Sequence, residues 1–284
     1  PPDMIVPGSR SQELAAALAA ATGADLATVE FERFPDGEQM ARVRGVSDEV
    51  VIVASTVSDA AHVELLQLQD AVREAGATDV TTVIPYMGYA RQERAFEAGE
   101  PVSARAVARA ISTGTDRVVT INPHVEVVCD FFDVPAESVD AAPRLAEPLG
   151  DDLTDPLFLS PDEGAVDLAT AVRDAYGRGA VDFFEKTRLS GNDVEIEPSD
   201  ADVTGRDVVV SDDIVATGST MSEAIAVLSE RDAASVHVAC VHPLLATSAR
   251  TKLARAGVEA IYGTDTIERA VSAVSVAPVV ADAL

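Results

Sequence analysis

"VVVSDDIVATGST", residues 208 to 220, is the stretch on which the reading turns. A run of valines ends in two adjacent carboxylates, Asp212 and Asp213. The small hydroxyl-rich turn Thr217-Gly218-Ser219-Thr220 follows, and then an amphipathic helical pattern, "MSEAIAVLSER". In open α/β sheets, ligands bind beyond the carboxyl ends of the strands. A glycine-containing turn at a helix start offers free backbone N–H groups and the positive end of the helix dipole, which suits a phosphate. The carboxylates can accept hydrogen bonds from neighbouring sugar hydroxyls. Together these groups describe a site for a phosphorylated pentose. Capping alone explains them poorly, because two adjacent acids at the end of an apolar strand are costly without a partner.

Outward from this stretch, short β-rich runs alternate with Ala/Leu-rich helical patterns. Expected strands are Met4–Val6, Ala27–Phe31, Val50–Ala54, Val80–Ile84 and Arg117–Ile121, then Leu157–Leu159, Val181–Phe184, Asp207–Ser211, Ser235–Val241 and Val258–Tyr262. Expected helices are Ser11–Thr22, Ala60–Ala75, Ser103–Thr113, Ala165–Tyr176, Ser219–Arg231 and Thr247–Ala256. Alternating βα units imply mainly parallel sheets covered on both faces. The pattern restarts near residue 142, beside Pro143, Pro148 and the acidic Gly150-Asp151-Asp152. The fold class is therefore α/β, with two tandem doubly wound domains, 1–142 and 143–284. In helix 60–75, Val63, Leu66 and Val72 are expected to form a buried stripe ending at the stop signal Gly76. His62, near its start, reads as a structural or interface residue.

Composition narrows the function classes. The 284 residues are 47% apolar, enough for a sizeable core. No apolar run reaches the roughly 18 to 20 residues of a membrane span, and no basic-then-apolar leader pattern opens the chain. The expected location is the cytoplasm, with Cys129 and Cys240 as packed free thiols. Asp and Glu number 48 against 21 Lys and Arg, a formal charge of −27. That charge argues against nucleic-acid and anionic-membrane partners, which need a basic face. Only two lysines are present, Lys186 and Lys252. A lysine-poor, acid-rich surface fits a halophile's protein, since molar salt screens the self-repulsion. Lys252, on an Ala-rich helix, reads as a solvated surface residue.

The segment 212–220 resembles the phosphoribosyl diphosphate (PRPP) loop of the type I phosphoribosyltransferase fold. Ala216 stands where many members carry a third acid, and Ser219 where many carry a second glycine. That acid often serves as a base in the transferases, so its absence argues against one. "FPDGE" (34–38), "YARQER" (89–94), "NPH" (122–124), "SPDEG" (160–164) and "EKTRLS" (185–190) resemble ribose-phosphate diphosphokinases, in order and over nearly the whole chain. "EKTR" and "DDIVATGST" look most like the archaeal branch of that family.

The resemblance implies transfer of a diphosphoryl group from ATP to the anomeric hydroxyl of ribose 5-phosphate, with AMP leaving. It puts Arg91 and Gln92 on ATP, where an arginine can fork onto phosphate oxygens. It also puts Phe34, Asp36, Gly37 and Glu38 on ATP, Phe34 stacking on adenine and the acids binding its amino edge. In the family that loop reaches a neighbouring subunit, so a homodimer or larger assembly is expected. His124 and Asp162 are implied beside the Mg²⁺ that rides on ATP; magnesium's taste for oxygen favours Asp162. Lys186 and Arg188 match a mobile catalytic loop, with Ser190-Gly191-Asn192-Asp193 as a hinge. Arg188, Asp212, Asp213, Ala216, Thr217, Gly218, Ser219 and Thr220 would hold ribose 5-phosphate. A phosphoribosyltransferase would not need "RQER" or "EKTR". A regulatory, non-catalytic paralogue should have lost Lys186, Arg188 or Asp162, and all three are present.

The charge reading makes a direct prediction. On transfer from molar salt to about 0.1 M, the Debye length grows from about 3 Å to about 10 Å, and helical circular dichroism is expected to collapse. A full signal in dilute buffer would contradict the halophilic reading.

Overall fold

A computed structural model describes residues 2–190, 193–198 and 201–284, with residues 185–190 and 193–198 described by backbone alone. It divides into two compact units, Pro1–Asp140 with Asp265–Glu268 and Ser275–Leu284, and Ala141–Thr264 with Arg269–Val274. Sequence patterning set the junction near residue 142 and gave everything after it to the second unit. The contacts put it at Asp140/Ala141 and return the last ten residues to the first unit.

The first unit is built on β1 (Met4–Pro7), β2 (Asp25–Leu26), β5 (Glu49–Val53), β6 (Asp79–Ile84), β7 (Arg117–Ile121) and β8 (Ala136–Val139). These form one parallel sheet in the order β2-β1-β5-β6-β7-β8. The inner strands are almost wholly apolar, as parallel strands covered on both faces must be; Val50 to Val53 are all buried. β3 (Thr28–Arg33) and β4 (Gln39–Arg44) leave the sheet as a separate antiparallel hairpin. The expected strand at 27–31 falls on β3 from Thr28 onward, so it belongs to the hairpin and not to the sheet, because the chain turns out of the sheet after the two-residue β2.

Three helices connect these strands: α1 (Gln12–Thr22), α2 (Asp59–Glu74) and α3 (Ser103–Ser112). Ser58 caps α2, its Oγ accepting from the Ala61 N–H at 3.2 Å, and Gly76 ends it with φ of 111°. The expected α2 stripe needs correction. Ala61, Leu65, Leu68, Gln69 and Val72 are buried, whereas Val63 is 48% exposed and Leu66 only partly covered. Each fully buried Leu or Val here contributes about 1.5–3 kcal/mol.

The second unit repeats the plan. Its strands are β9 (Leu157–Ser160), β10 (Ala180–Ser190), β11 (Asp193–Pro198), β12 (Asp207–Ile214), β13 (Ser235–His242), β14 (Ala260–Thr264) and β15 (Ser272–Val274). The sheet order is β11-β10-β9-β12-β13-β14-β15, parallel throughout except for the β10–β11 pair. The helices are α4 (Val166–Tyr176), α5 (Ser219–Glu230) and α6 (Ala249–Ala256). In each unit the first strand has its successor on one side and the later strands on the other. The strand order therefore reverses between β1 and β5, and again between β9 and β12, and such a reversal is where open α/β sheets bind ligands.

The chain ends in α7 (Ala277–Ala283), which packs on α1 within the first unit. Glu268 Oε1 there accepts from the Glu13 and Leu14 N–H groups at 2.7 and 3.1 Å. It does the capping that Ser11 does not, since Ser11 Oγ accepts from the Ser55 N–H instead. Both cysteines are free thiols. Burial and nearby acids push Cys240 up, and burial does the same to Cys129.

Candidate active site

In the second unit, the pairs Leu157↔Val208 and Leu159↔Val210 align β9 with β12. Asp162, just beyond β9, and Asp212 and Asp213, at the end of β12, therefore project from neighbouring strand ends. Burial comes first in raising the Asp212 carboxyl well above the usual carboxylate range, the charge of Asp213 adds to it, and Asp162 contributes from across the strand boundary. Asp212 also accepts the Asp213 N–H at 2.9 Å, which opposes the rise. Among the described residues no three His, Cys, Asp or Glu side chains form a metal-holding group.

The turn that follows is held from behind. Ala246 N–H donates to the Ala216 carbonyl and Leu245 N–H to the Val215 carbonyl, both at 2.9 Å. Leu245 and Thr247 accept positive φ, 45° and 52°, to make this brace. Gly218 begins α5 at φ 74°, and a Cβ there would lie 3.3 Å from Ala249 backbone atoms. Both facts call for glycine. No side chain caps α5 and no acid sits in its first turn, so its leading N–H groups and the positive end of its dipole suit an anionic ligand. Thr217, Ser219 and Thr220 are exposed around it, with the Thr217 and Ser219 hydroxyls 3.4 Å apart.

Sequence reasoning missed one residue here. Lys252, read as a solvated surface lysine, donates from Nζ to Ser219 Oγ at 3.1 Å. It is only partly exposed. The usable signal was the scarcity of lysine in the chain; the 33-residue separation hid the contact. Lys186 and Arg188 lie on β10, but their side chains fall outside the described residues, as do Gly191 and Asn192 of the expected hinge.

In the first unit, Arg91 and Gln92 line a cavity of about 470 Å³ with Thr56, Asp59, Tyr86, Tyr89 and other residues of the loops after β5 and β6. Its wall is rigid. Gly88 N–H donates to Thr56 Oγ1 at 2.9 Å, and a Cβ on Gly88 would lie 2.3 Å from the Thr56 carbonyl oxygen. Tyr89, at φ 65°, donates its hydroxyl to Asp59 Oδ1 at 2.6 Å. His62 is half-buried against Tyr89, ring centroids 5.5 Å apart, and burial lowers its pKa. Gln92 accepts from Ser103 Oγ at the start of α3. Arg94 pairs with Glu93 at 3.5 Å and lies over Phe96. Arg91 is exposed and has no carboxylate partner among the described residues, leaving its guanidinium for a ligand.

Phe34, Asp36, Gly37 and Glu38 lie, with Pro35, in the five-residue tip of the β3–β4 hairpin. Phe34 N–H donates to the Glu38 carbonyl at 2.8 Å, Glu38 N–H donates to Asp36 Oδ1 at 3.0 Å, and Gly37 takes φ 96°. Phe34 is 37% exposed and none of the four lines the Arg91 cavity. His124 follows β7 at φ 69°, exposed, beside Asn122, whose amide donates to Asp140 Oδ1 at 2.8 Å.

Two doubly wound units with a phosphate-type turn at one reversal point and an arginine-lined cavity near the other define a phosphoribosyltransferase-fold enzyme. Residues 4–114 match the N-terminal domain of ribose phosphate pyrophosphokinase, and residues 136–277 the phosphoribosyl transferase domain. A ribose-phosphate pyrophosphokinase from Halobacterium salinarum is 67% identical over 283 residues, covering 99% of this chain and all of that one. One from Methanosarcina mazei is 47% identical over 99% of this chain and 94% of its own. A crystal structure of phosphoribosylpyrophosphate synthetase from Mycobacterium smegmatis superposes with a TM-score of 0.84 at 28% identity, covering 99% and 96% of the two chains. The chain belongs to the ribose-phosphate pyrophosphokinase family. Its similarity to a Halobacterium protein is consistent with the halophilic reading of its charge.

The strained acid pair yields a prediction. Asp212 has a folded pKa above its unfolded one, so the folded state holds a proton that the unfolded chain has already released. Stability of the unliganded protein is therefore lost as pH rises from the usual carboxylate range to the raised Asp212 value. Asp212→Asn should abolish that loss, stabilise the unliganded protein near neutral pH by about 0.5–2 kcal/mol, and weaken ribose 5-phosphate binding at least about tenfold. Thermal melts across pH and titration calorimetry check this; a less stable variant with unchanged affinity would contradict it.

Proposed function

We propose that this chain is a ribose-phosphate diphosphokinase, moving the β,γ-diphosphoryl group of ATP to the anomeric hydroxyl of ribose 5-phosphate to give PRPP and AMP. The carrying observation is the full-length identity of 67% to a named ribose-phosphate pyrophosphokinase. The uncapped α5 start behind Asp212 and Asp213 supports the sugar-phosphate half of the reading.

Gly218, Ser219 and Thr220 would offer backbone N–H groups to the 5-phosphate, with the Thr217, Ser219 and Thr220 hydroxyls around it. Asp212 and Asp213 would accept from the ring hydroxyls and so fix the anomeric oxygen, which turns much of the barrier into prepaid orientation. Arg91 and Gln92 would hold ATP phosphates and base from the 470 Å³ cavity. Lys186 and Arg188 would stabilise charge spreading over the transferring group. Asp162 and its neighbours supply the oxygen donors that magnesium prefers, without a closed cage, so the ion would share its coordination with phosphate and water. When bound it neutralises phosphate charge; His124, an imidazole, would act beside it. We assign adenine contacts to Phe34, Asp36 and Glu38 of a neighbouring copy. The exposed β3 face and Phe34 tip support a homodimer or larger assembly. A cytoplasmic location and the absence of nucleic-acid partners follow from the same reading. The described residues contain no helix long and apolar enough to cross a membrane.

Incubation with ATP, Mg²⁺ and ribose 5-phosphate in high salt, followed by phosphorus NMR, is expected to show AMP and a sugar diphosphate. ADP as the sole nucleotide product would mark an ordinary kinase and sink the proposal. In the same assay Lys186→Ala should lower kcat about 10²-fold or more with an unchanged melting profile; unaltered turnover would remove Lys186 from the mechanism.

A further inference from the structure

We propose that Lys252 is a substrate-contacting residue, a cation on α6 that binds the 5-phosphate of ribose 5-phosphate across the start of α5. The inference rests on the reading of residues 217–220 as the sugar-phosphate site and adds a residue to it.

Three observations carry it. Lys252 Nζ lies 3.1 Å from Ser219 Oγ, the first residue of α5. A phosphate on the α5 N–H groups would meet that ammonium, whose two remaining N–H donors have no recorded acceptor among the described residues. Secondly, Lys252 has no carboxylate partner among the described residues. The surroundings match: α6 itself reads "ARTKLARA" with no acid, and the first turn of α5 has none. An ammonium kept clear of acids beside uncapped N–H groups makes a local positive field in a molecule of charge −27. Thirdly, α6 is tied to the turn. Its Ala249 sits so close that a Cβ on Gly218 would lie 3.3 Å from it, and the 245–246 backbone holds 215–216. Lys252 is thus carried by the element that fixes the turn, and its position relative to a bound phosphate is set by the fold.

The contact is to phosphate, a group that ribose 5-phosphate has and ATP binds elsewhere. Removing it should act on one substrate only. In high salt, Lys252→Gln should raise KM for ribose 5-phosphate about tenfold while leaving kcat and KM for ATP within about twofold; Lys252→Arg should restore most of the loss because a cation of similar reach remains. Inorganic phosphate, used as a competitor against ribose 5-phosphate, should inhibit the Gln variant correspondingly less. Gly218→Val serves as the control for the underlying site, and thermal melts accompany each variant. If Gly218→Val raises KM for ribose 5-phosphate and Lys252→Gln does not, Lys252 is a structural lysine and the inference fails while the site stands. If neither variant moves that KM, the site reading itself fails. A rise in both substrates' KM values together with a lower melting temperature in Lys252→Gln would likewise overturn the inference.

Discussion

A carboxylate half-buried beside a second carboxylate is unfavourable until something that accepts its charge arrives. The second unit is organised around that cost. Asp212 and Asp213 end an otherwise apolar strand, Asp162 adds a third charge from the adjacent strand end, and burial drives Asp212 toward its protonated form. A structure selected only for stability would replace this pair. On the proposed function a ring diol and a magnesium ion would discharge it, and the strain would then be stored where the substrate arrives.

The same economy explains the turn beside it. α5 starts without a capping side chain, and the loop before α6 adopts left-handed backbone at Leu245 and Thr247 to hold the turn in place. In the first unit the walls around Arg91 are likewise tied by hydroxyl-to-backbone hydrogen bonds between distant segments, through Thr56 and Gly88, and through Ser55, whose Oγ donates to the Thr266 carbonyl and accepts from Tyr86 N–H. Cations are few in this molecule, and most arginines are engaged with acids or carbonyl groups. Arg91 and Lys252, without carboxylate partners among the described residues, stand at the two places where an anionic ligand is expected.

Much of this was legible in the sequence because parallel strands and their helices are written in local apolar patterns. Arg117–Ile121 falls where patterning put it, and the repeat of the topology follows from the repeat of βα units. What failed was whatever depends on distance along the chain. Val63 is apolar and helical yet exposed, because the sheet meets α2 along Ala61, Leu65, Leu68 and Val72. β8 and β15 are short edge strands with little apolar signal, and α7 opens with a proline in a seven-residue stretch. The cap on α1 comes from Glu268, more than 250 residues away, and no local motif announces it. In the candidate site the turn residues and acids were readable as chemistry, whereas Lys252 was not, since its meaning lies in a tertiary contact with Ser219.

The most direct measurement is a carbon-13 NMR titration of the Asp212 carboxyl, in high salt, with and without ribose 5-phosphate and Mg²⁺. The account predicts a carboxyl that titrates well above the normal aspartate range in the free protein and returns to that range when both ligands bind. An ordinary aspartate titration in the free protein, or one that ligands leave unmoved, would contradict it.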